Sequence, residues 1–130
     1  MSWTKSSVGE KNNVLLMTET YTLPASATTE YSTVIKEIGP KFSKENRYVT
    51  FVFNPSAVTG VNLDIALYGS DTEAGTTKFL LKDAVVADLT VTGAVAGVVD
   101  LNAYPAGYYF LAWTSDVNES ANTIDVKVLA

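Results

Sequence analysis

Residues 61–68 read VNLDIALY, with Val61, Leu63, Ile65 and Leu67 on one parity and Asn62, Asp64 and Ala66 on the other. Successive side chains of an extended chain point to opposite faces, so a two-residue period marks a strand with one face in a core. The same period recurs in TIDVKV (123–128), where Ile124, Val126 and Val128 read inward while Asp125 and Lys127 read outward. It recurs again in RYVTFVFN (47–54), which sets Val49, Phe51 and Phe53 against Tyr48, Thr50 and Val52. VLLMTETYTL (14–23) and TEYSTVIKEI (29–38) add two segments rich in β-branched and aromatic residues and poor in strong helix formers.

Turn residues separate these runs: Pro24, Gly39-Pro40, Asn54-Pro55, Gly60, Gly69, Gly75, Gly93, Gly97 and Pro105-Ala106-Gly107. Short strands punctuated in this way predict an all-β protein, a single-domain antiparallel β-sandwich of jelly-roll type. KFSKEN (41–46) is the one stretch that reads as a helical turn. The segment DAVVADLTVTGAVAGVVDLNA (83–103) reads as two short strands joined by a glycine-containing turn, with a helix over 83–89 as the alternative. Residues 1–12 are polar and read as an N-terminal arm, leaving 13–130 for the sandwich.

The 130 residues fit one domain, and a chain of this size buries about two-thirds of its unfolded surface without staples. The apolar fraction of 47% and mean hydropathy of +0.14 are high for a small monomer, which suggests that some apolar area is covered by another chain.

The chain has neither cysteine nor histidine. Disulfides, thiolate metal sites and cysteine nucleophiles are excluded, and the commonest general base and metal ligand are missing. No glycine-rich phosphate loop is present, and no serine or threonine has an evident activator. An enzyme is therefore not expected, nor is a cofactor. SDTEAG (70–75) and SDVNES (115–120) each offer two carboxylates, but neither has the spacing of a calcium loop, and both read as solvated turns. Asp64, Asp100 and Asp125 fall on outward strand positions.

The opening MSWTKSSVGEKNN contains no apolar run, and no stretch reaches the roughly 18 to 20 apolar residues of a membrane span. Synthesis in the cytoplasm of the producing cell, with no membrane partner, is the expectation. The net charge of −5 and pI near 4.5 argue against nucleic acid. Residues 1–50 are nearly neutral, whereas the remainder holds Lys78, Lys82 and Lys127 against nine acids, an acidic body that reads as a solvated face or as a docking surface.

DLNAYPAGYYFLAWTS (100–115) gathers five aromatic rings around a Pro-Ala-Gly turn. In a strand, Tyr109, Leu111 and Trp113 share one face and Tyr108, Phe110 and Ala112 the other, so both faces are apolar. A two-layer sandwich has one core. Phe110 has no polar atom and is assigned to it, which turns Tyr109 and Trp113 outward; the opposite assignment stays open. Tyr104, Tyr108, Tyr109, Trp113 and Trp3 are the candidate partner-binding residues, because rigid rings cover much area at small entropic cost.

The run VVDLNAYPAGYYFLAWTS followed by ANTIDVKVLA resembles the closing strands of small β-sandwich head-decoration, or capsid cement, proteins of tailed bacteriophages. The likeness rests on a D-L-x-x-Y-P-A turn, an aromatic strand and a final alternating strand, about the last third of the chain. It implies a virion structural protein on the outer capsid surface. Its partners would be the major capsid protein and further copies of itself, as a trimer in preference to a dimer. A second resemblance, on V-x-L-D-I-x-L-Y and A-G-Y-Y, is to secreted β-sandwich modules of the carbohydrate-binding type, and a phage tail or fibre component is a third reading.

Overall fold

The computed structural model describes residues 15–35, 48–90 and 93–129. Trp3, the arm over 1–12 and the helical turn expected at 41–46 lie outside the described residues. Among the described residues eight strands follow in chain order: β1 Leu15–Thr22, β2 Thr29–Tyr31, β3 Tyr48–Pro55, β4 Leu63–Ser70, β5 Lys78–Leu89, β6 Val95–Asp100, β7 Tyr108–Thr114 and β8 Thr123–Leu129. One 3-10 turn, Leu101–Ala103, separates β6 from β7, with the Asp100 carboxylate accepting a bond from the Asn102 N–H.

Two four-stranded sheets form, in the orders β1-β8-β3-β6 and β2-β7-β4-β5, and every pairing is antiparallel. Each half of the chain alternates between the two sheets, which is the double Greek key of a jelly roll. The expected all-β antiparallel sandwich is the observed fold.

The alternating runs face as their period requires. Val49, Phe51 and Phe53 from β3, Leu63, Ile65 and Leu67 from β4, and Ile124, Val126 and Val128 from β8 are all fully buried between the sheets. The Phe51 and Phe53 rings stack at 6.2 Å, joining the inner face of β3 along its length. Val61 is the exception, 64% exposed, because β4 begins only at Leu63 and the residue stands in the preceding loop.

The segment over 83–89 is strand, not helix. It is the second half of a twelve-residue β5 whose register against β4 shifts three times and whose Asp88 takes a φ of +52°. The Asp64 carboxylate accepts the Asp88 N–H at 2.8 Å and holds this irregular backbone. The shifts bend β5 beneath β6 and close that side of the sandwich. Gly69 and Gly97 do not mark turns; they lie inside β4 and β6. At Gly97 a Cβ would stand 2.7 Å from the Val85 side chain and 3.0 Å from the Val85 carbonyl oxygen, so the glycine marks a close approach of β5.

At the opposite side Tyr21 links the two sheets. The Tyr21 ring packs on Trp113 with centroids 5.0 Å apart, and its hydroxyl meets the Thr33 Oγ1 at 3.0 Å and accepts the Thr33 N–H at 3.3 Å. Tyr21 thereby joins β1 of one sheet to the chain following β2 of the other.

Among the described residues Trp113 is the largest fully buried side chain, and the Tyr21 ring packs on it. Trp113→Ala is expected to lower the unfolding free energy by about 3–5 kcal/mol, measured by urea titration, with no change in secondary structure at low denaturant.

Candidate interaction surface

The two faces of β7 are both covered by the chain itself. Tyr109, Leu111 and Trp113 point into the core and are 0% exposed, which corrects the assignment of Tyr109 and Trp113 to the outer surface. Their polar atoms find partners inside. The Tyr109 hydroxyl donates to the Tyr104 carbonyl at 2.7 Å and accepts the Ala106 N–H at 3.1 Å, fixing the Pro-Ala-Gly turn. The Trp113 Nε1 donates to the Thr22 carbonyl at 3.3 Å. A ring with a polar atom suits burial wherever a backbone group needs that atom, so lack of a polar handle does not select Phe110 for the core.

Phe110 takes the outward parity and is still buried. The loop between β4 and β5 folds over it. Gly75, at φ +66°, lies so close that a Cβ there would stand 2.5 Å from the Phe110 ring. The Lys78 ammonium sits 4.8 Å from the centre of the same ring and 4.7 Å from that of Tyr31, while donating to the Gly75 carbonyl at 2.8 Å. This small external layer explains how a two-sheet protein accommodates a strand with two apolar faces.

Beside that cover, the outer face of the β2-β7-β4-β5 sheet carries a patch of rings. Tyr31 and Tyr68 meet edge to face with centroids 5.4 Å apart. Burial, and then the adjacent hydrogen-bonded Tyr68 phenol, raise the pKa of Tyr31, so its hydroxyl stays protonated well above neutral pH. Tyr31 is 41% exposed, Leu80 opposite Tyr68 is 53% exposed, and Tyr108 is half-buried at the end of the same face. Tyr104 is also half-buried, but its ring lies off this patch, at the turn before β7, with the Lys82 ammonium 5.8 Å from its centre. Among the described residues Tyr108 is thus the one sequence-selected ring on the patch.

Tyr31, Tyr68, Lys78 and Leu80 were not selected from the sequence. Tyr68 carried a usable signal: it follows Asn62, Asp64 and Ala66 on the outward parity of its strand, where an aromatic residue is out of place. Tyr48 stands likewise opposite Val49 and Phe51 and is 56% exposed on the other sheet.

The acidic loops differ from one another. Asp71, Thr72, Glu73 and Ala74 are exposed, as a solvated turn requires. In 115–120, Glu119 is fully buried, which corrects the reading of that loop as solvated. Its carboxylate accepts the Thr59 N–H at 2.9 and 3.0 Å, the Gly60 N–H at 2.8 Å and the Asn122 Nδ2 at 3.0 Å. Its own N–H donates to the Pro24 carbonyl at 2.9 Å, and Asp116 receives Asn62 at 2.7 Å and Ser26 at 2.9 Å. Three loops at one end of the sandwich are tied together here. Asp64, Asp100 and Asp125 are not assembled into a site. They serve Asp88, Asn102 and Thr20 separately, and among the described residues no group of three or more acidic, histidine or cysteine side chains could hold a metal. The chain matches no protein-family model and no curated protein.

Burial alone would raise the Glu119 pKa, but the bonds from Gly60, Thr59 and Asn122 outweigh it and lower the value below the ordinary 4.5. A lowered folded-state pKa stabilises the fold fully above the unfolded value, and that contribution is lost as pH falls below 4.5 through the folded value. Glu119→Ala should cost about 3 kcal/mol at neutral pH, since it strands buried N–H donors. Unfolding titrations of both proteins from neutral pH into the acid range should show the difference shrinking as pH drops.

Proposed function

We propose that the protein is a non-enzymatic virion component, a capsid decoration or cement protein that binds the outer surface of a phage head and stabilises it through protein–protein contacts. One observation carries the reading. After Tyr109, Phe110 and Trp113 of β7 have been absorbed or covered, large apolar side chains still face solvent on both sheets: Tyr31 and Leu80 on one, Tyr48 and Val98 on the other. A sandwich with two such faces suits a piece set between neighbouring subunits, where each copy covers apolar area at a border and repetition over the shell multiplies a modest contact. Jelly rolls serve in capsids and in lectins alike, so the topology alone does not choose between them.

The runner-up is carbohydrate binding, and Tyr31 is the feature that favours it, as a partly exposed ring on a sheet face. Leu80 and Lys78, next to it, suit a protein surface better than a sugar face. The major capsid protein is the proposed partner, with further copies of this chain alongside.

Cosedimentation with purified empty phage heads is the test. The wild-type chain should pellet with the heads, and Leu80→Lys should weaken binding by about tenfold or more while leaving the thermal midpoint nearly unchanged, since the side chain is already exposed. A chain that stays in the supernatant yet is retarded in polysaccharide-containing gels would overturn the reading in favour of sugar binding.

A further inference from the structure

An unpaired strand edge exposes a row of backbone donors and acceptors that another strand can take up, and proteins usually guard such edges. Among the described residues the four edge strands are β1, β2, β5 and β6, and three of them are guarded. In β1 an exposed glutamate, Glu19, stands opposite Val126 on the core-facing parity, and the register slips between Leu15 and Met17. β2 is only three residues long. β5 is broken by register shifts, bears Lys78, Lys82, Asp83 and Asp88, and turns at the positive φ of Asp88.

β6 has none of these devices. Its residues, VAGVVD, hold register with β3 without a break from Asp100 to Val95, and they include no proline and no charge before Asp100. β5 packs against its inner side, where Val85 meets Gly97, but pairs only with β4. Ala96 is exposed and Val98 is 61% exposed on the outer side. Val98 on β6 and Tyr48 on β3 beside it are two of the exposed apolar side chains on this sheet.

We infer that β6 is a self-association edge, and that its occupant is β6 of a second copy of this chain, paired antiparallel about a twofold axis. The sequence of the strand supports a copy of itself. Strands continuing one sheet must match inward with inward residues, so the axis falls on a residue and not between two. Placed at Gly97, it sets Ala96 opposite Val98 and Val95 opposite Val99, all apolar, while each Asp100 meets Ala94 and no like charge. The two four-stranded sheets become one continuous sheet of eight, and the Val98 and Tyr48 side chains of both copies join in a single apolar strip. The interface contains no ion pair and each copy carries a net charge of −5, so added salt strengthens the dimer by screening repulsion. This inference goes beyond the head-binding proposal and takes the dimer over the trimer.

Light scattering with size exclusion over a concentration series reads it directly. The full chain should approach twice its 13.9 kDa as concentration rises, more readily at higher salt. Val98→Lys places two ammonium groups near the axis on an already exposed position and should raise the dimer dissociation constant by about tenfold or more. Amide hydrogen exchange over 95–100 should slow on dimerisation in the wild type only. Leu80→Lys, on the other sheet, should leave the mass unchanged. A wild-type chain that stays monomeric at high micromolar concentration overturns the inference, as does an oligomer that Val98→Lys leaves intact or Leu80→Lys dissolves. Head binding is read separately, so either proposal can fail while the other stands.

Discussion

The fold depends on β7 being enclosed twice. On its inner face Tyr109, Leu111 and Trp113 meet the core residues of both sheets, and on its outer face Phe110 lies under Gly75 and the Lys78 ammonium. The first cover is ordinary sandwich packing. The second needs a loop that can approach within van der Waals distance of a ring, hence a residue without a Cβ at positive φ, and a cation whose charge is balanced by two aromatic faces and a carbonyl. Because Tyr109, Phe110 and Trp113 are enclosed, the richest aromatic stretch of the chain leaves only the half-buried Tyr104 and Tyr108 near the surface.

The two ends and one side of the sandwich are held by polar groups, each used where backbone atoms would otherwise lack partners. Glu119 gathers the β1–β2, β3–β4 and β7–β8 loops, Tyr109 ties down the turn before β7, and Tyr21 bridges the sheets through Thr33. A buried carboxylate is tolerated because four hydrogen bonds reach it, and the same bonds keep it ionised. The acidic character of the chain is therefore partly internal architecture and not wholly a surface field. Among the described residues, what the closed core leaves outside is a set of apolar side chains on two opposite faces and one undefended edge. These, and not a cleft, are the features from which partners are inferred.

Much of the architecture was legible in the chain. The alternation in 47–54, 61–68 and 123–128 assigned the inward side chains of β3, β4 and β8, because a strand's period of two is a local property of the extended backbone. The absence of histidine and cysteine likewise bounded the chemistry before any contact was known. Where local patterns misled, the cause was a neighbour distant in sequence. Val61 continues the alternation but lies before the pairing begins; Gly69 and Gly97 look like turns but make room for residues of β5; Glu119 looks like a solvated acid but meets donors some sixty residues away.

The sequence by itself determined a single all-β sandwich, the faces of its regular strands, and the lack of the usual catalytic and metal-binding side chains, since these follow from residue type and a two-residue repeat. Only the tertiary structure decided which face of β7 meets the core, because both of its faces are apolar and periodicity is silent between them. The choice fell to partners that no local window contains: Thr22 for the Trp113 indole, Tyr104 and Ala106 for the Tyr109 hydroxyl, and the Gly75–Lys78 cover for Phe110.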